Sequence, residues 1–323
     1  MSDPVGGRSR GKGRTSVELA VSALVLVATL YFVGVGQLWA RLHTLRPAWL
    51  LLGVCLTFVQ FALLAGRWWF VALRVGVPLS YRRALAEYYL STLLNYVAPF
   101  GLFGDAVRAL RHAARASESA RERPLARVLS AIVLERTSGQ MALWLVVLGI
   151  APDWWGIASP ALCSHAWLVL PVGSAVVCAL VALAWVGQKR GWLVLLRSVA
   201  ATGARVLFLP ANLIVHLGLS LTLLTAHIAL FIVAAHALGL ELAPGPAIRI
   251  VPLVLVASSV PAFVGGFGIR EAAAAALYHL TGLSAADGAA IALIYGSVGL
   301  VASLPGLFAL QWRRRHTSES KQG

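Results

Sequence analysis

The chain has 323 residues, of which 59% are hydrophobic and only 12% are charged, and its formal net charge is +15. A water-soluble domain of this length could not bury so much apolar surface, so the composition excludes an ordinary soluble fold. The basic residues lie in the connectors between apolar runs. That distribution is typical of loops on the cytoplasmic side of a membrane, and it argues against a nucleic-acid partner.

Six apolar runs each reach or approach the roughly 20 residues that a helix needs to cross the hydrocarbon core of a bilayer. In chain order they cover residues 17–36, 48–66, 126–150, 162–187, 211–239 and about 283–312. The first run follows a basic tail at residues 1–16, as a signal peptide would. Its apolar core is longer than the roughly 7–15 residues of a signal peptide, so we interpret it as an uncleaved span.

The placement of Lys and Arg predicts the topology, because connectors rich in these residues stay on the cytoplasmic side. The basic stretches are residues 1–16, 67–83, 108–127, 189–205 and 313–323, whereas 38–47, 151–160 and 240–247 carry few basic residues or none. Both termini are therefore expected in the cytoplasm of a bacterial-type plasma (inner) membrane. Tryptophans near the ends of the runs, such as Trp68 and Trp154, are expected in the interfacial belts.

Two further apolar segments, 81–116 and 247–281, must each begin and end on one side of the membrane under this assignment. Pro and Gly interrupt both near the middle, so we predict two re-entrant helical hairpins. Each segment could instead be two spans, or one span with an amphipathic neighbour. The order span, span, hairpin, span then occurs twice, over 17–150 and 151–312. The predicted fold is an all-α polytopic membrane protein with an inverted repeat, which many secondary transporters use.

The two interruptions have similar sequences, in which Pro and Gly precede an acid and an arginine. The first contains Pro99, Gly101, Gly104, Asp105 and Arg108, and the second contains Pro261, Gly265, Gly266, Gly268, Arg270 and Glu271. Proline ends the incoming helix and glycine permits the turn, so a new helix is predicted to begin after Gly104 and after Gly268.

The beginning of each new helix is a potential anion site, because its N–H groups are free and its dipole end is positive. Arg108 and Arg270 add guanidinium groups that can bind a phosphate through two hydrogen bonds. Two such breaks in corresponding positions point to a transporter site at mid-depth, where both arginines meet the substrate. Alternatively, Asp105 could merely cap its helix, and Arg270 with Glu271 could be a structural ion pair.

Other polar residues within apolar segments also need a reason, because charge inside a bilayer is costly. Glu87, Ser91 and Asn95 recur every four residues, so they are predicted to face the protein interior. The adjacent Glu135 and Arg136 are either a packing pair or part of a headgroup site or proton relay. We include Glu87, Asn95, Glu135 and Arg136 among the candidate substrate-binding residues.

Three motifs contain these residues: Pro99 with Gly104-Asp105-x-x-Arg108, then Glu135-Arg136-x-x-Gly139, then Pro261-x-x-x-Gly265-Gly266-x-Gly268-x-Arg270-Glu271. In these motifs the chain resembles, over nearly its whole length, the transmembrane region of the lysylphosphatidylglycerol synthetase and flippase family. It departs from the family where Glu135 replaces a frequent Asp. The cytosolic aminoacyl-transferase domain of full-length synthetases has no counterpart, so tRNA-dependent lipid lysylation is not expected. The resemblance implies a flippase-like membrane protein.

The preferred hypothesis is that the protein translocates or binds a membrane lipid or amphiphile with an anionic headgroup. A second hypothesis is an intramembrane lipid-modifying transferase that uses Glu87, Asp105 or Glu271 as a base. A third is a non-catalytic subunit of an envelope-lipid pathway. Because no nucleotide, metal or hydrolase motif is present in the sequence, neither an enzymatic activity nor a cofactor or metal is expected. Whether the chain forms a homo-oligomer is left open.

Overall fold

A computed structural model describes residues 45–98, 103–116, 124–164, 209–259 and 266–309. These ranges contain eight α-helices and no β-strand. The helices are α1 (Pro47–Arg74), α2 (Tyr81–Val97), α3 (Phe103–Ala116), α4 (Pro124–Ser164), α5 (Pro210–Ala237), α6 (Pro244–Ser258), α7 (Ile269–Leu280) and α8 (Ala285–Ser303). Proline is the first residue of α1, α5 and α6, a position where its missing N–H leaves no hydrogen bond unmade.

Four of the six predicted spans are confirmed as helices that are long and apolar enough to cross a membrane. They are Pro47–Arg74, Ala131–Trp154, Pro210–Ala237 and Ala285–Ala309, which correspond to α1, the middle of α4, α5, and α8 with its short continuation. The predicted span 17–36 and nearly all of 162–187 lie outside the described residues, as do the basic stretches 1–16, 189–205 and 313–323.

The two interrupted segments are helix pairs, α2–α3 and α6–α7. Helix α2 ends at Val97, and Ala98 is extended (φ −98°, ψ 149°), as a residue before proline must be. Helix α7 begins directly after Gly268, whose φ of +91° favours glycine, as predicted. Helix α3 begins at Phe103, so Gly104 lies in its first turn rather than before it. Pro99, Gly101, Pro261 and Gly265 lie outside the described residues.

The packing of the eight helices repeats between α1–α4 and α5–α8. Within each group, consecutive helices pack together, and the first helix also contacts the fourth. Between the groups, α1 packs on α5 and on α8, α4 packs on α5 and on α6, and α8 packs on α2. Exchanging α1–α4 for α5–α8 leaves this set of neighbours unchanged. Helices α1 and α5 are antiparallel, since Arg46 N donates to Ala237 O and Gln60 Nε2 donates to Ala226 O, both at 2.8 Å.

Two main apolar cores and two small apolar clusters lie between these helices. The larger joins α5, α6, α7 and α8 and includes the buried Phe231, Val254 and Ile291. The smaller joins α1 to α4 and includes Trp68. The prediction that Trp68 and Trp154 lie in interfacial belts is therefore wrong: both are buried, and Trp154 Nε1 donates to Arg249 O at 3.1 Å. Their aromatic area packs against neighbouring helices instead of the lipid headgroups.

The predicted connector at 151–160 is helical, because α4 continues to Ser164. The boundary predicted between the repeats, at residues 150 and 151, also falls inside this helix. At 41 residues α4 is about 60 Å long, twice the roughly 30 Å of a hydrocarbon core. The change in composition near residue 150 therefore marks the end of the apolar stretch and not the end of the helix.

Candidate functional site

Five charged residues form an ion cluster where α1, α3 and α4 meet. Glu135 accepts a hydrogen bond from Arg67 Nη2 at 2.7 Å and lies 3.5 Å from Arg108 Nη2. Arg108 also pairs with Asp105 at 2.9 Å, and the second oxygen of Asp105 pairs with Arg136. We call Arg67, Asp105, Arg108, Glu135 and Arg136 the first ion cluster. With three arginines and two carboxylates, its formal charge is +1.

Burial distinguishes Arg136 from the other members of the first ion cluster. The side chains of Arg67, Asp105, Arg108 and Glu135 are buried, whereas that of Arg136 is 45% exposed. Arg108 is enclosed by aromatic rings, with its guanidinium carbon 4.4 Å from the centre of the Trp68 ring and 5.3 Å from that of Tyr88. Buried charges persist only when they are paired. Arg136 is thus the guanidinium of the cluster that retains a substantially accessible surface.

The adjacent Glu135 and Arg136 do not pair with each other. Consecutive residues of a helix point about 100° apart, so Glu135 turns toward Arg67 and Arg108 while Arg136 turns toward Asp105. Gly139, one turn further along α4, leaves room for the Arg67 side chain. A Cβ on Gly139 would lie only 2.6 Å from Arg67 Nη1. The motif Glu135-Arg136-x-x-Gly139 therefore binds arginines from neighbouring helices: Glu135 pairs with Arg67 and Arg108, and Gly139 leaves space for Arg67.

Sequence reasoning assigned Arg67 to a basic cytoplasmic connector, and the structure corrects this assignment. Arg67 lies inside α1, which continues to Arg74, and its side chain is 9% exposed. The apolar residues that follow it, Trp68 to Ala72, are the signal that could have placed it within the membrane helix. A single arginine inside an apolar run is more often a buried functional or structural charge than a loop residue.

The polar stripe of α2 faces the interior, as predicted, and joins α2 to α3. Asn95 Oδ1 accepts from the backbone N–H of Gly104 at 2.7 Å, and Asn95 Nδ2 lies 3.4 Å from Asp105. Glu87 accepts from Arg111 Nε at 3.1 Å. A Cβ on Gly104 would overlap the carbonyl of Ser91, so the two helices approach closely at this glycine. Asn95 therefore occupies part of the positive helix end that the sequence offered to an anion.

The second helix pair carries a more compact arrangement. Glu271 Oε2 accepts from Gly268 N at 2.5 Å, and Glu271 Oε1 accepts from Arg270 Nη2 at 2.8 Å. The Arg270 guanidinium carbon lies 4.7 Å from the ring centre of Phe267 and 5.4 Å from that of Tyr295. Gly296 of α8 leaves the space for this guanidinium, because a Cβ there would overlap it. Arg270 and Glu271 thus neutralise each other, and Glu271 caps its own helix.

Arg108 and Arg270 lie in separate groups of ion pairs. Their neighbours on α2 are Tyr88 for Arg108 and Tyr96 for Arg270, since Tyr96 packs on Phe267 with ring centres 6.1 Å apart. Tyr88 and Tyr96 are eight residues apart, which is about 12 Å along a helix. The structure therefore brings Asp105, Arg108, Glu135 and Arg136 together, and it holds Arg270 with Glu271 at another level.

A cavity of about 240 Å³ lies beside the first ion cluster. It is smaller than the roughly 300–1,000 Å³ of sites for drug-sized ligands, so it suits a headgroup better than a whole lipid. Its lining comes from six helices, α1 to α6. The polar lining residues include Arg67, Asp105, Glu135, Arg136, Gln140, Ser220 and His227, and the apolar ones are Leu64, Leu143, Leu223, Leu224 and Leu255.

His227 connects this cavity to the second helix pair. Its Nδ1 lies 2.9 Å from the hydroxyl of Tyr295, whose ring in turn lies beside Arg270. His227 and Ser220 were not predicted as site residues, and their position on one face of α5 becomes informative only once α5 is packed against α1. Over the described ranges, no three His, Cys, Asp or Glu side chains are grouped so that they could hold a metal ion.

Comparison with known proteins identifies a family that covers most of the chain. A family model described as the lysylphosphatidylglycerol synthase TM region matches residues 16–306. The match confirms the resemblance inferred from the three motifs. No curated protein and no solved structure gave a significant match.

Proposed function

This chain belongs to the family of the lysylphosphatidylglycerol synthase transmembrane region, and from this premise we propose that it binds and translocates an anionic lipid or amphiphile. The observation that carries the proposal is the cavity beside the first ion cluster. Its lining combines charged and leucine side chains from six helices, of which α1, α4 and α5 are long and apolar enough to cross a membrane. Such a lining fits a molecule with a charged head and an apolar body.

The sign of the headgroup charge follows from the ion pairs. Asp105 and Glu135 are already engaged by arginines, so neither carboxylate is free for a cationic headgroup. The remaining charge of +1 attracts an anion, and charge interactions are stronger away from bulk water. Arg136, whose side chain is the most exposed of the cluster, is proposed as the main headgroup contact, and Arg67 as a second one. Both line the cavity.

The helix packing supports a transport mechanism. The neighbour pattern that is unchanged on exchanging α1–α4 for α5–α8 is the pattern that a two-fold repeat requires, and the antiparallel packing of α1 on α5 favours an inverted repeat. In this proposal α2–α3 and α6–α7 are re-entrant hairpins that enter from opposite sides, and both termini are cytoplasmic in an inner membrane. Leu255 of α6 lines the cavity together with Tyr88 of α2, so relative motion of the two repeats would alter access to it.

We favour translocation over lipid modification because the carboxylates considered as bases are occupied. Glu87 pairs with Arg111, Asp105 with Arg108 and Arg136, and Glu271 with Arg270. A general base needs a lone pair directed at its substrate, and an arginine partner competes for it. The proposal therefore assigns these acids to holding arginines in place and includes neither a cofactor nor a metal.

The proposal is tested with purified protein in proteoliposomes that contain a fluorescent anionic lipid. Arg136→Gln removes the accessible charge and leaves Asp105 paired with Arg108, so the amount of folded protein should be unchanged. We expect the rate of anionic-lipid translocation to fall about tenfold, which corresponds to losing about 1.4 kcal/mol of headgroup interaction. The rate is measured by chemical quenching of the fluorophores in the outer leaflet.

Arg249→Gln is the matched control. Arg249 also pairs with a carboxylate, Asp153 at 3.3 Å, but this pair is half exposed and Arg249 is absent from the cavity lining. Its translocation rate should equal that of the wild type. The proposal fails if the wild-type protein does not accelerate anionic-lipid translocation, or if Arg136→Gln and Arg249→Gln have the same rate.

A further inference from the structure

The N-terminal half of α5 turns polar side chains inward. The buried positions in its first three turns are Asn212, His216 and Ser220, at 2%, 3% and 6% exposure. Apolar neighbours between them face outward, namely Leu213, Ile214 and Val215. We call Asn212, His216 and Ser220 the α5 polar stripe, because residues four apart lie on one face of a helix. These three turns bury only polar side chains and therefore do not contribute to an apolar core.

Two members of the α5 polar stripe have buried atoms that lack hydrogen bonds. Both ring nitrogens of His216 and the hydroxyl of Ser220 find no partner in the part of the chain that the structure describes. The His216 ring instead packs edge-on against Phe70 of α1, with ring centres 5.3 Å apart. Nearly all buried polar atoms in proteins are bonded to protein or to water. Water is therefore expected to reach these atoms.

The α5 polar stripe continues directly from the cavity. Ser220 lines the cavity together with Arg67, and His216 and Asn212 follow toward the beginning of α5. Because α1 and α5 are antiparallel, this end of α5 lies beside the end of α1, near Arg74. The basic residues of both flanking connectors predict that this end is cytoplasmic.

We propose that the α5 polar stripe is an aqueous access path between the cavity and the cytoplasmic side. The path is closed in the structure described here, and water fills it when the first half of α5 moves away from α1. It admits water and small hydrophilic solutes, and His216 is its titratable member. The cost of leaving His216 and Ser220 unpaired is relieved in the hydrated state, which gives the opening a driving force. This inference does not depend on which molecule the cavity binds.

The test is the reactivity of single cysteines toward a charged, membrane-impermeant thiosulfonate. His216→Cys is made in full-length protein whose three natural cysteines, Cys55, Cys163 and Cys178, are replaced by serine. Gly218→Cys is the matched control, since Gly218 lies two residues away with open space around it, on the outward face of α5. A thiol facing hydrocarbon stays protonated and reacts poorly.

We expect reagent on the cytoplasmic side to modify His216→Cys at least about tenfold faster than Gly218→Cys, because a one-unit difference in thiol ionisation has that effect. Ser220→Cys, which is nearly isosteric, should show the same sidedness. The inference is overturned if position 216 reacts no faster than position 218, or if both positions react only from the opposite side. If His216→Cys does not fold, the native His216 is carbethoxylated with reagent on the cytoplasmic side, and the modified residue is located by mass spectrometry. Modification of His216 from that side supports the inference, and its absence overturns it.

Discussion

The two interrupted helix pairs share a sequence pattern but use it differently. After the glycines of α2–α3, the acid precedes the arginine by three residues, so Asp105 and Arg108 lie on one face of α3 and Arg108 reaches Glu135 of α4. After the glycines of α6–α7, the arginine precedes the acid, and Glu271 is the third residue of its helix. That position lets Glu271 bond to the N–H of Gly268 and close the helix end.

Because of this difference, the ion pairs of the first motif extend over several helices, whereas the ion pair of the second motif stays within α7. The first ion cluster draws on three helices, has a formal charge of +1 and lines the cavity. The pair of Arg270 and Glu271 is neutral and is packed among Phe267 and Tyr295. A repeated motif therefore supports unequal roles in the two halves. We infer that the first ion cluster recognises ligand charge and that the pair of Arg270 and Glu271 fixes the packing of α7 on α8.

The largest expected effect comes from removing the acid that two helices share. Glu135→Gln leaves Arg67 buried without a carboxylate, and breaking a buried pair in this way costs about 3–5 kcal/mol. We expect a large fall in the thermal unfolding temperature of the detergent-solubilised protein. The double variant with Arg67→Met should recover much of this loss, since it removes the unpaired charge. If the loss of stability in the double variant equals the sum of the losses in Glu135→Gln and Arg67→Met, Arg67 and Glu135 are not an energetically coupled pair.

The second pair is tested through the glycine that admits its arginine. Gly296→Ala places a methyl group where the Arg270 guanidinium lies, and overpacking of this kind costs about 1–3 kcal/mol. Gly218→Ala is the control, because nothing lies within 4 Å of its added carbon. Alanine at position 218 should be neutral or stabilise the helix by about 1 kcal/mol. Equal unfolding temperatures for both variants would mean that Arg270 moves aside without cost.

The sequence predicted the helices well because apolar length and proline position are local properties. The segment predicted to begin at residue 81 does so, with α2 beginning at Tyr81, and α7 begins after Gly268 as expected. The ion partners were not predictable in the same way. Arg67 pairs with Glu135 across 68 residues, and only the packing of α1 on α4 reveals this partner. The α5 residues Ser220 and His227 became candidates only through the cavity they line.

The smallest expected effect concerns the hydrogen bond between Tyr295 and His227, which joins the second helix pair to the cavity. Tyr295→Phe removes the hydroxyl bonded to His227 Nδ1 without changing the ring that lies beside Arg270. A net hydrogen bond contributes about 0.5–1.5 kcal/mol, and the low end applies here because His227 lines a cavity where water can replace the lost partner. The unfolding temperature should therefore fall only slightly.

Tyr278→Phe provides the matched control for this last comparison. The Tyr278 hydroxyl is buried and has no hydrogen-bond partner among the described residues, so removing it should be neutral or slightly stabilising. Both variants lose a hydroxyl, but only Tyr295→Phe also loses a hydrogen bond. A difference between their unfolding temperatures therefore measures the contribution of that hydrogen bond. If Tyr295→Phe also leaves the anionic-lipid rate unchanged while Arg136→Gln lowers it, the first ion cluster works without the second helix pair. A lowered rate in both would instead mean that His227 transmits the position of Arg270 to the cavity.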